Sequence, residues 1–359
     1  MHLLKASLRI AGFDFVTMHI YRVGENTRIS AVVKSRMDDQ KSDILEKLTK
    51  REKKNPNKFQ EKYGEEASEI LAKKYFLRKA QIVVSTLGSA QTTELVSNRA
   101  KLKFTLLFID EAGQSKVEEI LLPLHFNSLS KLFIIGDPRQ LGPIYKSHLL
   151  QRYSPKITST FTRLCSLLAH KPGVVHRLRL QFRMHDSITR IVNSISYKSD
   201  DCLISSPDGN WRKVESHLPF AVFTSRNWID EVSGGSFSRH SEKEAEFGMQ
   251  LLKASLKLAG FNFETNSFKP GFEQLQYAII PLYKSQVKLY CNLVKRENLQ
   301  HVVKVATVDQ MQGSEVDIAI ISAVRTSEDI DGSVGFASDI RRLNVALSRA
   351  GAVYVLAQT

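Results

Sequence analysis

The sequence is poor in cysteine and has no long apolar run. Its three cysteines, Cys165, Cys202 and Cys291, form no C-x-x-C pair, so the sequence predicts neither a zinc site nor a disulfide framework. This favours a reducing compartment, and we expect a cytoplasmic protein, with a nuclear location as the alternative. No apolar stretch approaches the ~20 residues that a membrane-spanning helix needs. Lys5 and Arg9 interrupt the apolar residues at the N-terminus, which is not the pattern of a signal peptide. We therefore expect no membrane partner.

Acidic residues are also in deficit. The 359 residues include 51 Lys and Arg against 37 Asp and Glu, a formal net charge of +14. Such a balance is typical of proteins that bind polyanions, so single-stranded nucleic acid is the expected class of partner. The length allows two domains, and the hydrophobic content of 42% allows a core in each.

Two short apolar runs organise the chain. They are LLFI before Asp110 and KLFII before Gly136, and neither alternates with polar residues, which is typical of parallel strands covered on both faces. Each run ends in acid, Asp110-Glu111 and Asp137, at the edge where open α/β sheets bind ligands. One such carboxylate can hold Mg²⁺ while another orients a water molecule. The alternative is that the acids only cap the helices that follow.

A helix start is predicted further along the chain. Ser241 is a suitable N-cap and Glu244 occupies the capping-box position. The helix should continue to about Leu258 and stop at Gly260.

Five motifs occur in a fixed order. They span Asp110 to Gln114, Gly136 to Pro143, Gln181 to His185, Val308 to Glu315, and Arg341 to Ala350. Together they resemble the motifs of superfamily 1 helicases, most of all the Upf-like group, named for the nonsense-mediated-decay helicase. The resemblance covers essentially the whole chain. It implies an α/β fold of two RecA-like lobes, each a parallel sheet flanked by helices.

The resemblance also implies the domain limits. We expect a partial first lobe at residues 1–175, incomplete at its N-terminus, and a second lobe at residues 176–359. Half of the residues from 36 to 79 are charged, which fits a helical insertion at about 25–79. In the resembling family such an insertion leans on the nucleic acid. From the residues alone, a solvated, salt-bridged surface element fits equally.

Residue roles are carried over from the family motifs. Asp110 would bind Mg²⁺, and the other acid and the amides would act on the attacking water. The arginines would offset charge on the transferred phosphoryl group of ATP. The implied catalytic residues are Asp110, Glu111, Gln114, Gln140, Arg183 and Arg349. Arg183 would reach the γ-phosphate, and Arg349 matches the arginine finger.

The remaining implied residues bind the nucleotide or the nucleic acid. Phe182 would stack on the base and Glu315 would bond the ribose, while Asp137 and Gly313 complete the nucleotide-binding set. Thr86 and Thr307 match positions that contact the nucleic-acid backbone. Without the resemblance, the Ser85-Thr86 pair would be interpreted as turn chemistry.

The phosphate-binding loop G-x-x-x-x-G-K-[ST] has no counterpart, because none of the 18 glycines is followed by lysine. Two interpretations remain open. The chain is an ATP-dependent helicase or translocase, an NTP hydrolase preferring RNA to DNA, seen in part, with the loop supplied by a missing segment or a second chain. Alternatively, it is a non-hydrolysing nucleic-acid-binding or interaction protein derived from a helicase.

Overall fold

A computed structural model describes residues 20–23, 77, 80–92, 95, 102–145, 147, 159–197, 201–232, 238–272, 274–324 and 339–358. The predicted insertion at about 25–79 lies outside these residues apart from Leu77. By internal contacts, the chain divides into two compact units, Met1–Ile135 and Gly136–Thr359. The predicted lobe boundary after residue 175 stays a prediction.

The described residues of the first unit form two parallel strand pairs. Strand β1 (Ile20–Val23) pairs with β2 (Ile82–Ser85), and β3 (Leu106–Ile109) pairs with β4 (Lys131–Ile134). A 3₁₀ turn (Ala112–Gln114), helix α1 (Val117–Leu121) and a second 3₁₀ turn (Leu122–His125) connect β3 to β4. A further 3₁₀ turn follows β2 at Gly88–Gln91. The two apolar runs are therefore parallel strands, as predicted. The expectation that both faces of these strands are covered was wrong, because Leu106, Leu132 and Phe133 are each 43% exposed.

The second unit is built on a five-stranded parallel sheet in the order β13-β12-β14-β15-β7. Its strands are β7 (Phe220–Ser225), β12 (Tyr277–Pro281), β13 (Val303–Val305), β14 (Val316–Ser322) and β15 (Ala350–Gln358). Short pairs join β5 (Leu180–Gln181) to β6 (Ile204–Ser205), β8 (Glu231–Val232) to β9 (Arg239–His240), and β10 (Phe261–Asn262) to β11 (Ser267–Phe268). The parallel sheet confirms the α/β class.

Helices follow and flank these strands. They are α2 (Thr160–Leu168), α3 (Asp186–Ile195), α4 (Glu242–Leu258), α5 (Lys284–Arg296), α6 (Val308–Met311) and α7 (Ile340–Leu347), with a 3₁₀ helix at Asn210–Val214. Within the described residues, no helix is long and apolar enough to cross a membrane.

Strand β12 shows why its sequence is apolar without alternation. All five of its residues are buried. Tyr277 and Ile279 pack in the hydrophobic cluster on one face of the sheet, and Ala278 and Ile280 in the cluster on the other. A strand covered on both faces needs apolar side chains at every position.

Helix α4 begins at the predicted N-cap. The Ser241 hydroxyl accepts a hydrogen bond from the Glu244 amide at 3.4 Å, and the helix ends at Leu258, before Gly260 at φ +79°. The capping box itself was wrongly predicted. The Glu244 carboxylate accepts from Ser322, while the Ser241 amide donates to the Gln286 side chain.

Candidate functional site

The acidic pair of the first unit lies in a strained turn directly after β3. Glu111 has φ 52° and ψ 36°, a left-handed conformation. Its amide donates to the Asp110 carboxylate at 2.9 Å. The Ala112 amide donates to the Ile135 carbonyl at 2.9 Å, and the Ile135 amide to that of Ile109 at 2.8 Å. The turn carrying the acids is thus bonded to the end of β4.

Gln114 closes the same turn. Its amide donates to the Glu111 carbonyl at 3.1 Å, and the intervening Ala112 and Gly113 are buried. The first unit therefore brings Asp110, Glu111 and Gln114 together, as the motif predicts. The left-handed conformation of Glu111 was not foreseen, because no sequence signal distinguishes a glutamate forced into it.

Asp110 is suited to bind Mg²⁺ together with oxygens of a substrate. Its side chain is exposed, and one of its oxygens is occupied by the Glu111 amide. No group of three or more metal-ligating side chains occurs in the part of the chain that the structure describes. Mg²⁺ is commonly bound through one or two carboxylates plus phosphate and water oxygens, so a lone exposed aspartate fits this mode and not an all-protein cage.

Thr86, the predicted backbone contact of the first unit, caps the turn after β2. Its hydroxyl accepts from the Ser89 amide at 3.2 Å and bonds the Ser89 hydroxyl at 2.9 Å. The residue is exposed. The turn chemistry predicted from the residues alone is therefore present, and the contact to nucleic acid stays a prediction.

The loop that follows β4 is stabilised by Asp137. One of its oxygens accepts from the Arg139 amide at 2.9 Å, and the other accepts from the Gln140 side chain at 3.0 Å and from the Tyr197 hydroxyl. Burial, then the neighbouring Asp137 charge, raise the pKa of Tyr197 well above its ordinary value. The predicted Asp137 and Gln140 thus belong to one hydrogen-bonded group.

Tyr197 and Asn344, which sequence reasoning missed, complete this group. Asn344, fully buried in α7, donates to the Arg139 carbonyl at 3.0 Å and to the Tyr197 hydroxyl at 3.2 Å. Arg139 donates to the Ser196 carbonyl and pairs with Asp201 at 2.7 Å. Asn344 lies inside the last motif, so its position in the sequence was a usable signal, whereas Tyr197 follows α3 and carried none.

Arg183 and Glu315 pair directly. The Nε and Nη2 atoms of Arg183 both lie 3.1 Å from one Glu315 oxygen, and its Nη1 donates to the Ser348 carbonyl at 2.9 Å. The side chains are 34% and 48% exposed. The second unit therefore joins the residue implied for the γ-phosphate to the residue implied for the ribose.

Arg349 lies next to this pair but is buried. It is 2% exposed, and its guanidinium donates to the Val345 carbonyl at 2.9 Å, the Ser314 carbonyl at 3.3 Å and the Ser348 hydroxyl at 3.0 Å. An arginine finger must reach a phosphate. In this conformation, the guanidinium of Arg349 donates its hydrogen bonds to carbonyl and hydroxyl oxygens of its own unit.

Gln181 organises the segment that carries Phe182 and Arg183. Its side-chain carbonyl accepts from the Arg183 and Met184 amides at 2.9 and 2.8 Å. Phe182 is 50% exposed, which leaves its ring available for stacking. Gly313 has φ +72°, a conformation that glycine adopts without strain, as the tight turn predicts.

Thr307 caps α6. Its hydroxyl accepts from the Gln310 amide at 3.3 Å, and the Gln310 side chain accepts from the Thr307 amide at 3.0 Å. This capping box fixes Thr307 after β13, at the carboxyl edge of the sheet. Its contact to a phosphate stays a prediction.

Comparisons with known proteins agree with the motifs. Residues 157–358 match a family model described as an AAA domain, and residues 17–148 match a second model of the same description. The chain is 32% identical over 253 residues to the mouse 5′-3′ DNA helicase ZGRF1, covering 69% of this chain and 12% of that protein. Regulator of nonsense transcripts 1 of Dictyostelium discoideum is 32% identical over 280 residues, which cover 76% and 20%.

A third relative is named as an RNA helicase. The human RNA helicase Mov10l1 is 28% identical over 301 residues, covering 77% of this chain and 24% of that protein. The chain thus spans between 12% and 24% of the length of these three relatives.

Proposed function

The chain belongs to the AAA-domain family and, within it, to the superfamily 1 helicases of the Upf-like group, and from this premise we propose that it is part of an ATP-dependent nucleic-acid helicase or translocase. The strained turn at Asp110-Glu111 is the observation that carries the proposal. A left-handed residue other than glycine costs about 1–3 kcal/mol, and such strain clusters at functional sites. A carboxylate that must be held in one place for chemistry accounts for it.

The proposed cofactors are ATP and Mg²⁺. The exposed Asp110 would hold Mg²⁺, which when bound offsets negative charge on the phosphates. Glu111 would orient the attacking water, and the family motifs assign Gln114 and Gln140 to the same water chemistry. Arg183 and Arg349 would stabilise charge on the transferred phosphoryl group, for which the planar guanidinium is suited.

Single-stranded nucleic acid is the proposed partner. The net charge of +14 supports it, as do relatives named DNA helicase and RNA helicase. We propose RNA over DNA as substrate and a cytoplasmic location over a nuclear one. Because binding would rest on phosphate contacts, it should be strongly salt-dependent and tolerant of base sequence.

A salt titration tests this binding. We expect the affinity of the purified chain for single-stranded oligonucleotides to fall about tenfold or more between about 50 and 200 mM salt, because counterion release drives such binding. Thr307→Ala tests the predicted phosphate contact, and Thr307→Ser, which keeps the cap hydroxyl, is its control. Affinity independent of salt, or a strong preference for one base sequence, would contradict the proposal.

The second candidate is a non-hydrolysing nucleic-acid-binding protein. It is favoured by the absence of a Gly-Lys pair from the printed sequence, since the phosphate loop provides the backbone cradle and the phosphate lysine. For the first candidate, the loop would have to come from a missing segment or a second chain.

ATPase measurements separate the two candidates. We expect the chain alone to release phosphate far below a helicase's rate even with saturating nucleic acid. A form that carries a phosphate loop should turn over, and Glu111→Gln should abolish that turnover while retaining ATP binding. Turnover by the chain alone that Glu111→Gln abolishes would refute the first expectation. A loop-bearing form that binds ATP without hydrolysis would favour the second candidate.

A further inference from the structure

A buried carboxyl group in the second unit has no part in the chemistry described above. Glu244 in the first turn of α4 is fully buried. Its Oε1 atom accepts from the Ser322 hydroxyl at 2.5 Å and from the Val324 amide at 3.3 Å. Its Oε2 atom is buried without a hydrogen-bond partner among the described residues. A buried carboxyl lacking a partner on one oxygen is costly when ionised.

Among the described residues, no cation forms an ion pair with Glu244. Asp230 faces it, but Asp230 pairs with Arg239 at 2.5 Å. From α5, the Tyr290 hydroxyl lies 3.5 Å from the Glu244 carbonyl. The charge state of this carboxyl therefore depends on burial, on two donors and on the nearby charge of Asp230.

Glu244 contacts the sheet, through Ser322, at a ligand-binding edge. Strand β12 connects through α5 to β13 on one side, and β14 connects through α7 to β15 on the other. Chain connections that leave in opposite directions mark the switch point at which open α/β sheets bind ligands. Ser322 ends β14 at this edge, and Thr307 follows β13 at the same edge.

Gln286 ties the two helix starts to this point. Its side chain donates to the Ser241 carbonyl and to the Ser322 hydroxyl, both at 3.2 Å, and accepts from the Ser241 amide at 2.9 Å. Ser322 thus accepts from Gln286 and donates to Glu244. The N-termini of α4 and α5 and the end of β14 are held in one buried network.

The network also holds a strained residue. Val324 has φ 63° and is fully buried. For a β-branched residue this is a genuine outlier, and strained residues persist only where the surroundings over-determine them. The hydrogen bond from its amide to Glu244 is one such constraint. Glu244 therefore helps to set the direction in which the chain leaves β14 at the ligand edge.

Burial raises the pKa of Glu244 to about 7, with the Ser322 and Val324 hydrogen bonds acting in the opposite direction and Asp230 adding to the rise. The carboxyl therefore changes its charge near neutral pH. A negative charge at the sheet edge that carries Thr307, the proposed phosphate contact, would oppose a polyanion, and low-dielectric surroundings would strengthen that opposition.

We propose that Glu244 is a positioning residue for nucleic-acid binding, and that the chain binds single-stranded nucleic acid more tightly when this carboxyl is protonated. The inference rests on the proposed nucleic-acid binding and deepens it. The protonated carboxyl keeps the buried network at the switch point without placing a charge there. Deprotonation adds a negative charge below the edge that carries Thr307. By linkage, bound nucleic acid must in turn favour the protonated form.

The test uses the full chain and an oligouridylate of about 20 nucleotides. Its Kd is measured between about pH 6 and pH 8.5 at constant ionic strength. For wild type we expect Kd to rise about three- to tenfold with a midpoint near pH 7. Glu244→Gln, an uncharged side chain of the same shape, should lack this rise. Glu246→Gln, on the exposed face of the same helix, should follow wild type.

Ser322→Ala is a second variant that leaves Glu244 in place. Because the Ser322 hydrogen bond lowers the pKa of Glu244, its loss should move the midpoint to higher pH. The inference is overturned if Glu244→Gln keeps the wild-type pH profile, or if Ser322→Ala leaves the midpoint unchanged or lowers it. If the chain binds no oligonucleotide at any pH, the proposed nucleic-acid binding is wrong and this inference is refuted with it.

Discussion

Glu111 has a backbone conformation that glycine would adopt with less strain, at a position where the motif demands a carboxylate. The amide–carbonyl bonds that join Ala112 and Ile135, and Ile135 and Ile109, hold the turn in place. Function and stability therefore make opposite demands on this single residue. That conflict can be measured.

We predict that Glu111→Gly leaves the first unit more stable than Glu111→Ala by about 1 kcal/mol, because alanine keeps the left-handed strain and glycine relieves it. Urea unfolding of both variants measures the difference. At Glu118, in the first turn of α1, the order should reverse, because glycine is the poorer residue in a helix. Alanine equal to or better than glycine at position 111 would mean that the turn is unstrained in solution.

Glu244 gives the second unit a pH-dependent stability. Its pKa is about 7 in the fold and about 4.3 in an unfolded chain. Between these values the folded state retains a proton that the unfolded state has lost, so stability falls as pH rises through this range. We predict a loss of about 4 kcal/mol by pH 8. The free energy of unfolding of Glu244→Gln, measured against pH, should lack this fall, while that of Glu246→Gln should retain it.

At the scale of elements, the loop after β4 is held by α3 and α7. Asp137 joins the Gln140 side chain to the Tyr197 hydroxyl, and Asn344 of α7 bonds both Tyr197 and the Arg139 carbonyl. Gln140, an implied catalytic residue, is therefore oriented by Asp137 of its own motif, which is held in turn by Tyr197, outside the motifs, and Asn344 of the last motif. A substitution in α7 should therefore change the conformation of this loop.

We predict strong coupling between Asp137 and Tyr197. Asp137→Asn and Tyr197→Phe both remove the hydrogen bond between these two side chains. Because that bond can be lost only once, the double variant should lose about 1–3 kcal/mol less than the sum of the single losses. Denaturant unfolding provides the four values. Tyr277, whose hydroxyl bonds Ser255 elsewhere in the unit, is the comparison. Tyr277→Phe combined with Asp137→Asn should be additive within about 0.5 kcal/mol, and additivity in the first pair would refute the coupling.

The sequence predicted the elements better than the contacts between them. The apolar runs before Asp110 and Gly136 form parallel strands, as predicted. The predicted cover on both faces was wrong for them, because Leu106, Leu132 and Phe133 are each 43% exposed, whereas β12 in the second unit does show it. The start of α4 was predicted, yet the Glu244 side chain turned away from its capping position. A local rule scores only neighbours in sequence, whereas Ser322 lies 78 residues away. The Arg183–Glu315 pair and the burial of Arg349 were not predicted, for the same reason.

At the scale of the whole molecule, the two units contribute different chemistry. The first carries the acids Asp110 and Glu111, and the second carries the arginines. Of the arginines, Arg183 is about one-third exposed, whereas Arg349 is nearly fully buried. The motif assigns the finger role to Arg349, and exposure favours Arg183. Only turnover in a form that carries a phosphate loop can decide between them.

We predict that both arginines are needed there, in distinguishable ways. An arginine on the transferred phosphoryl group is worth roughly 10³–10⁵ in rate, so Arg183→Ala should depress kcat strongly with little loss of folding stability. Arg349→Ala should depress kcat and also destabilise the second unit, because its guanidinium donates to two carbonyls and a hydroxyl in the fold. Lysine should rescue neither well, since an ammonium lacks the planar fork. Steady-state ATPase, ATP affinity and urea unfolding of all four variants provide the measurement. If Arg349→Ala loses stability but keeps turnover, Arg349 is a structural residue and Arg183 alone is the finger.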